Sequence, residues 1–174
     1  MLSQPRVLVH ATAVALVAAG EKFGAATDSA VLLTGRPGSG KSDLALRLMG
    51  LGAKLVADDQ TALFVDQGRL FAAAPSSLHG LLEIRGVGVV RIDAAPPSPV
   101  VLVVQLDQEG GIERMPEPRS WPLPRGLEGC APPLLISLKA FEISTPLKIA
   151  AAAGALARGG IVEGFARPEH GAFL

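Results

Sequence analysis

The sequence predicts an α/β domain built on a mixed sheet with few helices, and three observations carry that reading. A glycine-rich segment, Gly35-Arg-Pro-Gly-Ser-Gly-Lys-Ser42, fits the pattern G-x-x-x-x-G-K-[ST] without a mismatch. It stands between an apolar run, Ala30-Val31-Leu32-Leu33, and the helix-like Ser42-Asp43-Leu44-Ala45-Leu46-Arg47-Leu48-Met49. Elsewhere, short apolar runs joined by tight turns outnumber helical patterns, so strand does not alternate regularly with helix.

In chain order, Arg6 to Val17 reads as an opening strand and Gly20 to Ser29 as a glycine-bearing loop. After the first helix, Gly50-Leu51-Gly52 supplies a C-terminal cap, since glycine accepts the left-handed conformation such caps need. Lys54-Leu55-Val56-Ala57 is a short strand that stops at Asp58-Asp59. Thr61–Val65 and Arg69–Ala73 flank Asp66-Gln67-Gly68 and form a hairpin. Leu81 to Ile92, interrupted by Gly86 and Gly88, reads as strand, tight loop and strand. Pro96 to Pro99 is a stiff connector into the buried strand Val100-Val101-Leu102-Val103-Val104. Met115 to Pro124 holds four prolines and reads as an extended loop. Leu147 to Arg158 is an alanine-rich helix with Pro146 near its first turn and Gly159-Gly160 beyond its end.

Bulk properties narrow the class. At 174 residues the chain suits one domain with a real core. Hydrophobic residues make up 49% and the mean hydropathy is +0.39, which argues against disorder. Sixteen Lys and Arg balance sixteen Asp and Glu, so no basic field would steer nucleic acid. Val7 to Ala19 is apolar behind Arg6 and mimics a leader, yet His10 and Thr12 interrupt it and it reads as a strand. No run is long enough to span a bilayer, and a cytoplasmic domain is expected. The single cysteine, Cys130, is expected to be a buried structural thiol.

The glycine-rich segment implies nucleotide or polyphosphate binding. Gly35, Arg36, Pro37, Gly38, Ser39, Gly40, Lys41 and Ser42 form the cradle, in which backbone N–H groups converge on phosphate oxygens at the positive end of a helix. Lys41 would reach the terminal phosphates and the Ser42 hydroxyl would ligate Mg²⁺. Asp58 and Asp59 end the next strand; neighbours on a strand point to opposite faces, so one aims at phosphate while the other holds metal or backbone. Two solvated aspartates fit the pattern about as well. Glu83 and Arg85 share a strand face, either as a structural pair or projecting together, Glu83 on Mg²⁺ and Arg85 on phosphate. For His10, a half-buried structural role and a catalytic one are equally consistent with its spacing.

Taken together, these segments resemble the catalytic, C-terminal domain of the HPr kinase/phosphorylase family. The resemblance runs from His10 to about Asp93 and rests on Gly35–Ser42, Leu55-Val56-Ala57-Asp58-Asp59 and Leu82-Glu83-Ile84-Arg85-Gly86-Val87-Gly88-Val89-Val90. It implies the phosphoenolpyruvate-carboxykinase-like phosphate-loop fold, with helices mainly on one side of the sheet. It also implies an ATP- and Mg²⁺-dependent kinase that phosphorylates a serine of the phosphocarrier HPr and can reverse the transfer by phosphorolysis. Lys41 and the loop would hold ATP, Ser42, Glu83 and Asp58 would serve the metal, and Asp59 would be the acid/base. His10 matches the family's active-site histidine, and Arg114 is the candidate for its later catalytic arginine.

Residues 1–174 are then a single catalytic domain of the short form associated with alphaproteobacterial relatives, without the usual N-terminal regulatory domain. The late loop carrying Pro-Gly-Arg-Asn in the family reads here Glu142-Ile143-Ser144-Thr145-Pro146-Leu147-Lys148. That departure bears on the reverse reaction and on the partner, and homo-oligomerisation stays open. A kinase for another protein or a small molecule, and a non-enzymatic nucleotide or phosphate sensor, are the alternatives.

Overall fold

The computed structural model describes residues 5–17, 23–25, 29–106, 111–114 and 116–158. The strands are β1 (Val7–His10), β2 (Thr12–Ala15), β3 (Ala30–Thr34), β4 (Lys54–Ala57), β5 (Gln60–Asp66), β6 (Arg69–Ala73), β7 (Leu81–Ile84), β8 (Gly88–Arg91), β9 (Ser98–Leu106), β10 (Arg119–Ser120) and β11 (Leu134–Leu138). Two α-helices are described, α1 (Lys41–Gly50) and α2 (Thr145–Ala157). The main sheet runs β1-β5-β6-β9-β3-β2-β4, with β11 also on β9 and β10 on β11. Strands β3, β9 and β11 are mutually parallel, whereas β2 is antiparallel to both β3 and β4, so the sheet is mixed.

Only Ala11 separates β1 from β2, and only Asp58-Asp59 separates β4 from β5. The two bent segments run antiparallel, β1 on β5 and β2 on β4, which curls the sheet back on itself. The opening strand expected over Arg6 to Val17 is therefore two strands broken at Ala11. Small residues line the tight inside of this curl: Ala11, Ala13, Ala15, Ala57 and Ala72 are buried there with Leu32, Val56, Leu63 and Val103. On the outer face, Val14, Val31, Leu33, Leu102 and Val104 meet Leu44, Ala45 and Leu48 of α1 and Ile149 and Ala153 of α2. Leu32 thus faces the curl while its neighbours Val31 and Leu33 face the helices. Burial on both faces explains why β3 and β9 are continuous apolar runs instead of alternating ones.

The hairpin between β5 and β6 turns on Gln67 and Gly68, both at positive φ (48° and 73°), as a two-residue turn matched to strand twist requires. A second hairpin, β7 on β8, forms its own two-stranded sheet and reaches the core through fully buried Leu82. Helix α2 begins at Thr145 with Pro146 in its first turn, two residues earlier than the apolar pattern suggests. The proline-rich loop near 115–124 is not wholly irregular, because Arg119–Ser120 pairs with Leu134 and Leu135. Cys130 is half-buried instead of buried; desolvation raises its pKa, and its Sγ lies 3.7 Å from the Leu127 carbonyl. Among the described residues, no helix is long and apolar enough to cross a membrane.

Candidate active site

Strand β3 delivers the chain to Gly35, and α1 begins directly after Gly40. Gly40 is at φ +94°, and a Cβ there would stand 2.8 Å from Ala140 Cβ and 2.9 Å from Phe141 Cζ. Both the backbone conformation and the crowding require glycine. No side chain caps α1, so its first N–H groups stay available to an anion. Lys41 is buried, and its Nζ donates to the carbonyls of Gly35 (3.0 Å) and Arg36 (3.2 Å). Burial lowers the Lys41 pKa, and the nearby charges of Asp59 and Asp58 partly oppose that shift.

Asp58 is the tie-point of the site. It is 5% exposed and accepts hydrogen bonds from Thr12 Oγ1 at 2.7 Å, Ser42 Oγ at 2.9 Å and the Glu83 N–H at 3.2 Å. One carboxylate thereby joins β2, the first turn of α1 and the β7 hairpin. Asp59 is exposed, and its Oδ1 lies 3.1 Å from His10 Nδ1, which is also 3.0 Å from the Asp59 carbonyl oxygen. That ring nitrogen faces two acceptors, so it carries the hydrogen. Asp58 and Asp59 go to different surroundings, but strand alternation is not the cause. Strand β4 ends at Ala57, and Asp59 has φ +63°, which breaks the alternation. Asp58 therefore reaches Ser42 while Asp59 lines the cleft beside it.

A cleft of about 320 Å³ opens over the phosphate loop. Its floor is Pro37, Gly38, Gly40, Lys41 and Ser42; His10, Asp59, Glu83 and Arg85 line it together with Asp43, Leu46, Ile84 and Phe141. Glu83 and Arg85 thus project into one cavity, and among the described residues they form no ion pair with each other. Gly35, Arg36 and Ser39 do not line the cleft; Ser39 is buried and its Oγ has no hydrogen-bond partner among the described residues. Arg114 is exposed in the segment after β9 and is not among the lining residues.

The oxygen donors suit Mg²⁺, because a hydroxyl (Ser42) and a carboxylate (Glu83) share the cleft, with Asp58 directly behind Ser42. Among the described residues no group of three or more His, Cys, Asp or Glu could hold a metal by itself. Such a sparse set fits an ion that keeps water and takes phosphate oxygens as ligands.

Residues that sequence reasoning missed are Thr12, Arg47 and Phe141. Thr12, a fully buried polar residue amid alanines, carried a faint signal of its own. Arg47 donates to the carbonyls of Ala140 (2.6 Å), Glu142 (2.7 Å) and Ile143 (3.3 Å), distant in sequence and invisible to local pattern.

Residues 23–96 match the family model described as HPr Serine kinase C-terminal domain. Over that segment, less than half of its length, the chain is similar to the HPr kinase/phosphorylase family. Curated relatives bearing that family's name include one from Limosilactobacillus reuteri, 36% identical over 85 residues, covering 44% of this chain and 27% of that protein. Another, from Stenotrophomonas maltophilia, is 38% identical over 89 residues, covering 51% of this chain and 25% of that protein. One from Leptothrix cholodnii is 49% identical over 65 residues, covering 37% and 20%. These matches span about a quarter or less of the curated relatives' length. The structure of the Hpr(Ser) kinase/phosphatase from Coxiella burnetii superposes with a TM-score of 0.63 over 90% of this chain and 97% of that one, at 23% identity. The curled mixed sheet with its helices is thus the fold seen in that HPr kinase structure. The matched segment contains the phosphate loop, Asp58, Asp59 and Glu83, whereas His10, Arg114 and Phe141 lie outside it.

Proposed function

We propose that this chain is an ATP- and Mg²⁺-dependent protein-serine kinase acting on HPr, with dephosphorylation of the phosphoserine by phosphorolysis as a second activity. The observation that carries the reading is the convergence of Lys41, Ser42, Asp59 and Glu83 on one cleft over the phosphate loop. The match to the HPr serine kinase domain and the relatives' names support the same substrate class. The phosphate-loop segment inside a mixed sheet is consistent with the phosphoenolpyruvate-carboxykinase-like version of the fold.

In this reading the loop residues Gly35 to Ser42 cradle the triphosphate and Lys41 neutralises its terminal charge. Ser42 and Glu83, with Asp58 behind them, hold Mg²⁺, which would spread the charge of the phosphates when bound. Asp59 accepts the proton from the attacking serine hydroxyl and returns it in the reverse direction. His10, at 3.1 Å from Asp59 Oδ1, orients that carboxylate. Arg114 is retained as the later catalytic arginine, a role that requires its loop to meet the cleft when HPr is bound. We read residues 1–174 as one catalytic domain that acts in the cytoplasm, with homo-oligomerisation an open possibility of the family.

The test is transfer of label from ATP to purified HPr in the presence of Mg²⁺. The Asp59→Asn variant is expected to lose transfer by at least ~100-fold, the usual scale for a general base, while keeping nucleotide affinity. Unlabelled HPr with nucleotide binding intact would refute the substrate; undiminished transfer by Asp59→Asn would remove Asp59 from the base role.

A further inference from the structure

We propose that Phe141 is the platform on which the nucleobase stacks, held in place by the Arg47 clamp on its loop. The inference rests on the nucleotide reading above and names how the far end of that ligand is recognised.

The first argument is sidedness. In the sheet, β3 lies between β2 and β9. The acids sit on the β2 side, since Asp58 and Asp59 follow β4, the neighbour of β2, and Glu83 is tied to Asp58. On the other side come β9 and then β11, both parallel to β3, so the C-terminal ends of all three open at one edge of the sheet. Ligands of open α/β sheets bind at that edge. The loop leaving β11 brings Ala140 and Phe141 there, against Gly40, on the opposite side of β3 from the strands that lead to Asp58, Asp59 and Glu83. A ligand whose charged end lies between Lys41 and the acids therefore meets Phe141 with its other end.

The second argument is the state of the side chain. Phe141 is 63% exposed although it lines the cleft, and Leu46, 38% exposed, lines it too. An aromatic face open to water beside a phosphate cradle suits a flat heterocycle, because every base offers a π-face to stack.

The third is rigidity. Arg47 donates to the carbonyls of residues on both sides of Phe141, at Ala140 and at Glu142 and Ile143. Thr145 Oγ1 donates to the Lys139 carbonyl at 2.6 Å, and Lys148 pairs with Glu142 at 2.6 Å. An exposed ring on a loop fixed at this many points is organised before its ligand arrives, which lowers the ordering cost of binding.

The experiment is calorimetric titration of the wild type, Phe141→Ala and Phe141→Trp with Mg²⁺-ATP and with Mg²⁺-tripolyphosphate, which lacks the base. We expect the wild type to bind ATP more tightly than tripolyphosphate. Phe141→Ala should weaken ATP by roughly ten-fold while leaving tripolyphosphate within about two-fold, and Phe141→Trp should hold ATP at or above wild-type affinity. Wild type binding both ligands equally would overturn the platform and leave the phosphate-loop reading standing; binding neither would overturn both. Equal loss of both ligands in Phe141→Ala would assign the ring to the loop's integrity instead. Unchanged ATP affinity in Phe141→Ala would overturn the platform, and a parallel titration with HPr that weakened would give the ring, with exposed Ile143 and Leu147, to protein docking.

Discussion

Replacing Asp58 separates a structural tie from a metal ligand, and its cost follows from the geometry. The carboxylate receives three donors: the Thr12 and Ser42 hydroxyls on Oδ1 and the Glu83 N–H on Oδ2. In Asp58→Ala all three lose their acceptor. Ser42 and the Glu83 backbone lie beside a cleft that admits water, but Thr12 is fully buried and is left with nothing to donate to. Leaving one buried hydroxyl unsatisfied costs about 1–3 kcal/mol, and each hydrogen bond to a charged group is worth about 1.5–3 kcal/mol before water replaces it. The sum, discounted for the two donors that recover water, is about 3–5 kcal/mol. Asp58→Asn keeps an oxygen for Thr12 and Ser42 but turns an NH₂ toward the Glu83 N–H, setting donor against donor. The expected loss is about 1.5–3 kcal/mol. Urea unfolding at 25 °C reads both: with a slope of about 2 kcal/mol per molar, the midpoint should fall by about 1 M for Asn and about 2 M for Ala. If both variants unfold within about 0.3 M of the wild type, the carboxylate ties nothing together. Equal losses for the two would show that charge, and not the placement of Oδ1, carries the effect.

Two further outcomes follow from side chains at the loop and at α2. Gly154→Ala places a methyl against the Phe23 carbonyl, which has no room for it; overpacking of about 1–3 kcal/mol outweighs the helix-propensity gain of about 1 kcal/mol. The melting temperature should drop by roughly 2–8 °C instead of rising. The Lys41 pKa is lowered by burial from its ordinary value of 10.5, so below 10.5 the unfolded chain binds more protons than the folded one. Wild-type stability should therefore rise with pH through that window, and Lys41→Met should abolish the rise as well as ATP binding, measured by urea midpoints between pH 8 and pH 10.

Much of the fold was legible because local chemistry specified it. The phosphate loop, the Asp66-Gln67-Gly68 turn and the apolar runs of β3 and β9 each needed only their own neighbours to be read. The break at Ala11 was not legible, because the curl that demands it arises from pairing with residues some fifty positions away. The cause that parts Asp58 from Asp59 was misread for a related reason: strand alternation holds only inside a strand, and a left-handed residue at 59 ends it. In the site, the types of residue pointed to the cleft, but their division of labour did not. Asp58 looks like its neighbour in the sequence and differs only in being buried under three donors. Phe141 and Arg47 were illegible altogether, since an exposed phenylalanine and a helical arginine read as surface until their loop is seen against Gly40.

The β7–β8 hairpin carries Glu83 into the cleft, yet among the described residues its ladder is shared with no other strand. Its anchorage comes instead from Leu82, Ile84 and Val90 against the outer core and from one backbone N–H on Asp58. A unit tied to the domain by side chains, and not by a continuous ladder, can open without breaking the curled sheet behind it. Glu83 is thus mounted on a separately docked hairpin, while Lys41 and Ser42 stand on the first turn of α1. We expect the lifetime of the assembled cleft to follow the docking of eleven residues, Leu81 to Arg91, more than the endurance of the domain as a whole.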